Sequence, residues 1–137
     1  YGCGASAISQ LDSAYSQNHK NTMEYIRNIE KNNLSVYRGY ILSYNEKVIR
    51  HVINAVMCNY YVDFSEVAKY FNCPLYEIIS ILEYDPSNFK DFIEDGLMEI
   101  DGEKITIHKS GRLFIRNISM RFDPLVKQKV GTYSKTI

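Results

Sequence analysis

The sequence predicts a mainly α-helical domain with one small antiparallel β-hairpin. Three observations carry that expectation. A long stretch from Tyr44 to Tyr60 repeats apolar residues at helical spacing, shorter capped helices follow it, and Asp101-Gly102 sits between two short apolar runs. Hydrophobic residues make up 45% and charged residues 23% of 137 residues, a balance that supports a packed core rather than disorder.

Along the chain, the opening run Tyr1-Gly2-Cys3-Gly4-Ala5-Ser6-Ala7-Ile8-Ser9 has no helical period and too few large side chains to build a core. Such a stretch reads either as a frayed terminus or as backbone that must approach another surface or a ligand closely. A first helix is expected from Thr22 to Asn33, with Asn21 as cap, Glu24 as its partner, and Met23, Ile26 and Ile29 as an inward stripe. Leu34 to Ser43 reads as an extended connection containing Arg38-Gly39.

The strongest helix, Tyr44 to Tyr60, opens on the capping-box pair Ser43 and Glu46. Val48, Ile49, Val52, Ile53, Val56, Met57 and Tyr60 fill an arc wider than a surface helix needs, so it is expected to be central and largely buried. Its polar strip holds Lys47, Arg50, His51, Asn54 and Cys58. Three shorter helices follow. Asp63 with Glu66 opens one that ends near Phe71, Pro74 starts another that runs to about Glu83, and Asp85-Pro86 starts a third that stops at Asp95-Gly96. Strands Leu97–Asp101 and Lys104–His108 flank the turn, and a last helix is expected from Lys109 to Lys129, with Phe114, Ile115, Ile118 and Phe122 as its core stripe. Helices followed by a hairpin in this order are winged-helix-like, which describes an architecture and not a function.

Charge and motifs exclude several functions. Sixteen basic residues balance sixteen acidic ones. In the recognition-helix position, Leu75 to Glu83 has no Lys or Arg and carries Glu77 and Glu83, and the turn carries Asp101 and Glu103, so nucleic acid is not an expected partner. No apolar run approaches the ~18 residues of a membrane span. Cys3, Cys58 and Cys73 form neither a disulfide framework nor a zinc pattern, and fit reduced thiols in a cytoplasm. His51 and Cys58 share a strip but stand about 10 Å apart along the helix axis, too far for a nucleophile and its base. The three histidines have no metal-ligand spacing, and no catalytic residue or metal ligand is identified in this chain. Arg112 and Arg116 are spaced to project together from a continuous helix, either to pair with carboxylates of a neighbouring helix or docked domain or to grip a ligand directly.

Read together, several segments resemble the C-terminal part of the oxygen-independent coproporphyrinogen III oxidases. Gly4-Ala5-Ser6-Ala7-Ile8-Ser9 resembles the family's G-x-S-A-I-S segment, followed by Tyr15-x-Gln17-Asn18 and Arg38-Gly39. Arg50-x-Val52-Ile53 with Cys58-Asn59 is similar to its central helix, and Asp95-Gly96-Leu97 precedes the hairpin. Gly111-Arg112-Leu113 through Arg116-Asn117-Ile118, Met120 and Phe122-Asp123 resembles G-R-L-x-x-R-N-I-x-M-x-F-D, and Tyr133 to Ile137 is similar to its F-S-R-V-I ending.

The resemblance implies a radical S-adenosylmethionine (SAM) enzyme that oxidatively decarboxylates two propionates of coproporphyrinogen III, giving protoporphyrinogen IX in haem biosynthesis. It implies a [4Fe–4S] cluster and SAM in the full-length enzyme, neither bound to this part alone. Residues 1–40 would then end the catalytic domain, a partial (β/α) barrel, and residues 41–137 would form the helical C-terminal domain that packs on it. The family's SAM contact maps to Ile8, and Arg38, Arg50, Arg112 and Arg116 become candidates for the substrate's propionates. The start at Tyr1 without a methionine fits a truncated, inactive piece ending naturally at Ile137. A face stripped of its barrel is expected to self-associate, which sedimentation equilibrium would read. Related haem-chaperone-type proteins are the nearer alternative and a stand-alone winged-helix-like interaction module the more distant one. Two departures stand out. His108 occupies a place where the family has threonine, with Ser110 expected to cap the last helix instead, and Lys135 stands for an arginine.

Overall fold

The computed structural model describes residues 4–128. The expectations placed on Cys3, on residues 133–137 with Lys135, and on the helix end at Lys129 lie outside the described residues. Two compact units are present, Tyr1–Lys47 and Val48–Ile137.

In the first unit, three strands form an antiparallel sheet in the order β1-β2-β3: β1 Ile8–Gln10, β2 Ala14–Asn18 and β3 Val36–Ile41. Sequence reading anticipated only the extended character of β3, because β1 and β2 are short and have no clear apolar alternation. Helix α1, Thr22–Glu30, links β2 to β3. Its cap is the expected one, since Asn21 Oδ1 accepts from the backbone N–H of Met23 at 2.9 Å and of Glu24 at 3.2 Å. The helix stops where Asn32 takes a positive φ of 56°. The inward stripe is corrected: Met23, Ile26 and Ile29 are exposed, and α1 has no buried residue.

Helix α2, Tyr44–Asn59, starts at the capping box read from sequence. Ser43 N donates to Glu46 Oε2 at 2.8 Å, and Glu46 N donates to Ser43 Oγ at 3.3 Å. Val48, Val52 and Val56 are fully buried, whereas Met57, assigned to the same arc, is exposed.

In the second unit, β4 Tyr61–Asp63 leads into α3 Phe64–Phe71, then α4 Leu75–Ile81, a 3₁₀ turn Pro86–Phe89 and α5 Lys90–Glu94. The hairpin strands are β5 Met98–Asp101 and β6 Lys104–Ile107, paired Asp101 to Lys104 across Gly102, whose φ is +59°. Unforeseen was β4, which pairs with β6 and completes a sheet in the order β4-β6-β5. A strand between α2 and α3 that joins the hairpin is the winged-helix arrangement, so the mainly helical, winged-helix-like expectation holds. Phe64, Phe89 and Phe122 are fully buried around Tyr84, with ring centroids 4.8 Å apart for Phe64–Tyr84 and Phe89–Phe122.

The single last helix is corrected. The chain instead forms a 3₁₀ turn Ser110–Phe114, then α6 Ile115–Met120 and α7 Pro124–Gln128. Proline has no N–H to donate and disfavours helical Asp123 before it, and Asp123 Oδ1 caps the new start by accepting from Leu125 N at 2.9 Å. The tight first turn follows from Gly111, where an added Cβ would lie 2.1 Å from the Leu97 carbonyl oxygen. Phe114, assigned to the core stripe, is exposed, while Ile118 and Phe122 are buried. Ser110 is not a cap either. Its hydroxyl donates to the Gly96 carbonyl at 3.1 Å, and His108 Nδ1 approaches the same oxygen at 3.0 Å.

Candidate functional site

The sheet of the first unit gathers two of the candidate residues, Ile8 and Arg38. Pairing puts Ile8 opposite Gln17 and Gln17 opposite Arg38, so the three form one row across β1, β2 and β3. Tyr15 lies opposite Tyr40, two residues along each strand, and side chains two apart share a face. Between them opens a hollow of about 350 Å³ lined by Ile8, Tyr15, Gln17, Arg38 and Tyr40 with the backbone-rich positions Ser16 and Gly39. Ile8 is 64% exposed, so its apolar side chain is available to a ligand.

Two hydrogen bonds fix this wall. Arg38 Nε donates to Gln17 Oε1 at 2.9 Å. Tyr40 Oη donates to Glu46 Oε1, tying the wall to the capping box. That bond and the Glu46 charge raise the Tyr40 pKa, and the same bond, followed by those from Ser43, lowers that of Glu46. A second hollow of about 360 Å³ is lined by His19, Lys20, Asn21, Glu24, Tyr37 and, again, Arg38. His19 Nδ1 lies 3.1 Å from Glu24 Oε2.

The other candidate arginines lie in the second unit. Arg50 is half-buried on α2. The Arg112 guanidinium sits over the Tyr60 ring, 4.1 Å from its centroid. Arg116 is exposed on α6, beyond the 3₁₀ turn that carries Arg112, so the two do not project from one continuous helix. Arg121 in the same unit pairs with a carboxylate. It donates to the Asn88 carbonyl at 2.6 Å and to Asp91 Oδ2 at 2.9 Å.

A third hollow, about 250 Å³, includes His51, Glu66 and Tyr70. His51 stacks on Tyr70 with centroids 4.5 Å apart, and burial, then the neighbouring Arg50 charge, lowers its pKa. Among the described residues no three His, Cys, Asp or Glu side chains gather into a group that could hold a metal ion, and the described thiols are Cys58 and Cys73. No described helix is long and apolar enough to cross a membrane.

Comparison with known proteins finds similar oxidases. The oxygen-independent coproporphyrinogen III oxidase of Escherichia coli is 30% identical over 131 residues, covering 93% of this chain and 27% of that protein. The chain matches the C-terminal part of an oxygen-independent coproporphyrinogen III oxidase. The Salmonella typhimurium oxidase of the same name is 33% identical over 128 residues, again across 93% of this chain. The solved coproporphyrinogen III oxidase of Escherichia coli, described as a radical SAM enzyme, superposes with a TM-score of 0.73 at 29% identity, over 90% of this chain and 28% of that one. The chain therefore spans about a quarter of the length of these oxidases. No family model matches it.

Sequence reasoning gave ligand roles to Ile8 and Arg38, but took Tyr15 and Gln17 only as part of a family motif and Glu46 only as a cap, and missed Tyr40. The available signal was weak: Tyr15 and Gln17 alternate with small residues in β2, but their partners lie across the sheet.

Proposed function

We propose that this chain is the C-terminal part of a cytoplasmic enzyme that oxidatively decarboxylates coproporphyrinogen III to protoporphyrinogen IX, with residues 1–40 ending its catalytic domain and residues 41–137 forming its helical domain. The observation that carries this reading is the similarity along 93% of the chain to oxidases of that name. It is joined by an open sheet face that presents Ile8 and Arg38 on either side of Gln17.

The cluster and SAM, when bound in the full-length enzyme, supply the one-electron chemistry. The residues here hold and shield. Ile8 offers an apolar contact to SAM beside residues small enough for close approach. Arg38, Arg50, Arg112 and Arg116 are the candidate partners for substrate carboxylates, and the helical domain excludes water from the reacting groups. Cluster ligands would come from outside this chain, which by itself is inactive.

The test is anaerobic assay of the reconstituted full-length protein with SAM and coproporphyrinogen III. SAM-dependent formation of protoporphyrinogen IX by the full-length protein, with none by the 137-residue chain, is expected. A full-length protein that consumes neither SAM nor coproporphyrinogen III overturns the reading.

A further inference from the structure

The two hollows of the first unit meet at one side chain. Arg38 lines the apolar one, with Ile8, Tyr15 and Tyr40, and also the polar one, with His19 and Lys20. Each volume lies within the range of small-molecule sites, roughly 300–1,000 Å³. A guanidinium carries its N–H donors in a rigid fork. Here Nε is engaged by Gln17 at 2.9 Å, which sets the plane of the group and leaves the edge formed by the two terminal nitrogens for two parallel bonds to a carboxylate. Gln17 is itself held in register between Ile8 and Arg38 by the strand ladder. The polar hollow also holds Lys20, whose charge adds to that of Arg38, and the Glu24 carboxylate, which lies 3.1 Å from His19 Nδ1.

We propose that Arg38, oriented by Gln17 and assisted by Lys20, binds a carboxylate of a ligand whose apolar body lies over Ile8, Tyr15 and Tyr40. Gln17 is a positioning residue, and neither it nor Lys20 has been assigned a role above. The inference rests on the proposed function, under which both ligands carry the required group: the tetrapyrrole has propionates and SAM has an amino-acid carboxylate.

The experiment measures equilibrium binding to the reconstituted full-length enzyme under anaerobic conditions. The probes are SAM, by dialysis, and coproporphyrin III and its tetramethyl ester, by absorbance titration. Arg38→Gln is expected to weaken one carboxylate ligand about tenfold, the scale of one lost charge-assisted bond. Arg38→Lys should weaken the same ligand by a smaller factor, because it keeps the charge and loses the fork. Gln17→Ala and Lys20→Gln should each weaken it further below that, and Gln17→Ala should add nothing in the Arg38→Lys background, where there is no fork to orient. A loss for coproporphyrin III but not for its ester identifies a propionate, and a loss for SAM alone identifies the SAM carboxylate. Unchanged affinities in Arg38→Gln and Arg38→Lys, or equal losses for acid and ester, overturn the inference. Wild-type turnover with unchanged variant affinities rejects this assignment alone. Carboxylate binding that depends on Arg38 in a protein without turnover rejects the enzyme reading alone.

Discussion

Residues 48–128 and residues 4–47 treat their apolar side chains in opposite ways. In the second unit, α2, α3, α4 and the three-stranded sheet contribute to one core, and Phe64, Phe89, Phe122, Ile78, Leu82 and Ile105 are all essentially inaccessible. In the first, the buried side chains among the described residues are Ser35 and Leu42, while Leu34 is 88% and Ile41 82% exposed. Secondary structure does not differ in kind, since both units contain helix and an antiparallel three-stranded sheet. The difference lies in what covers those elements. A sheet ladder and a helix cap satisfy backbone groups without burying apolar area, and burial supplies most of the favourable free energy of folding. The second unit therefore carries the stability of this chain, and the first presents surface.

Mutations in pairs sharpen that contrast. Phe122→Ala removes a ring packed on Phe89 and Tyr84 and is expected to cost about 3–5 kcal/mol, whereas Ile29→Ala should stay within about 0.5 kcal/mol. Urea unfolding of both variants checks this, and equal costs would end the contrast. A smaller effect is expected from Arg121→Ala. Its bonds to Asn88 and Asp91 tie the end of α6 to α5, but the pair is partly solvated, so the loss should be about 1 kcal/mol by the same measurement.

The smallest effect is a pH dependence confined to the second unit. Burial, then the Arg50 charge, lowers the His51 pKa below its ordinary 6.5 in the folded protein. The unfolded chain binds the proton more readily, so this contribution to stability is present above about pH 6.5 and fades as pH falls through the folded value. Unfolding of His51→Phe at neutral pH and near pH 5 should show a shallower acid loss than the parent, and an identical slope would remove His51 as its source.

Much of the second unit was legible because its signals are local. Asp63 before Ser65, Asp85 before Ser87, and the glycines at 96 and 102 each act within a few residues, and each cap or turn formed where the residues implied. The first unit was less legible for the opposite reason. Its sheet exists only through pairings such as Ile8 with Gln17 and Gln17 with Arg38, and the latter joins residues on either side of α1. The site followed the same division. Ile8 and Arg38 were found through motif resemblance, but the part of Gln17 in holding Arg38, and the place of Tyr40, became visible only when the strands were laid side by side. Helical periodicity misled twice, at the exposed stripe of α1 and across the break before Pro124, since an apolar period states which residues could be buried and not what is there to bury them.

Gly111 bears on how the Gly111-Arg112 signature should be read in other sequences. A side chain there would occupy the space of the Leu97 carbonyl, whatever reaction the protein supports. Retention of that glycine in a distant relative is thus a marker of shape: it reports that the chain leaving the hairpin still folds back tightly over the strand entrance. The arginine next to it carries separate information, because its cradle is the Tyr60 ring, 4.1 Å away. A sequence with the glycine and without the arginine would preserve the architecture while changing the surface, and the two positions are best weighed separately when kinship is inferred.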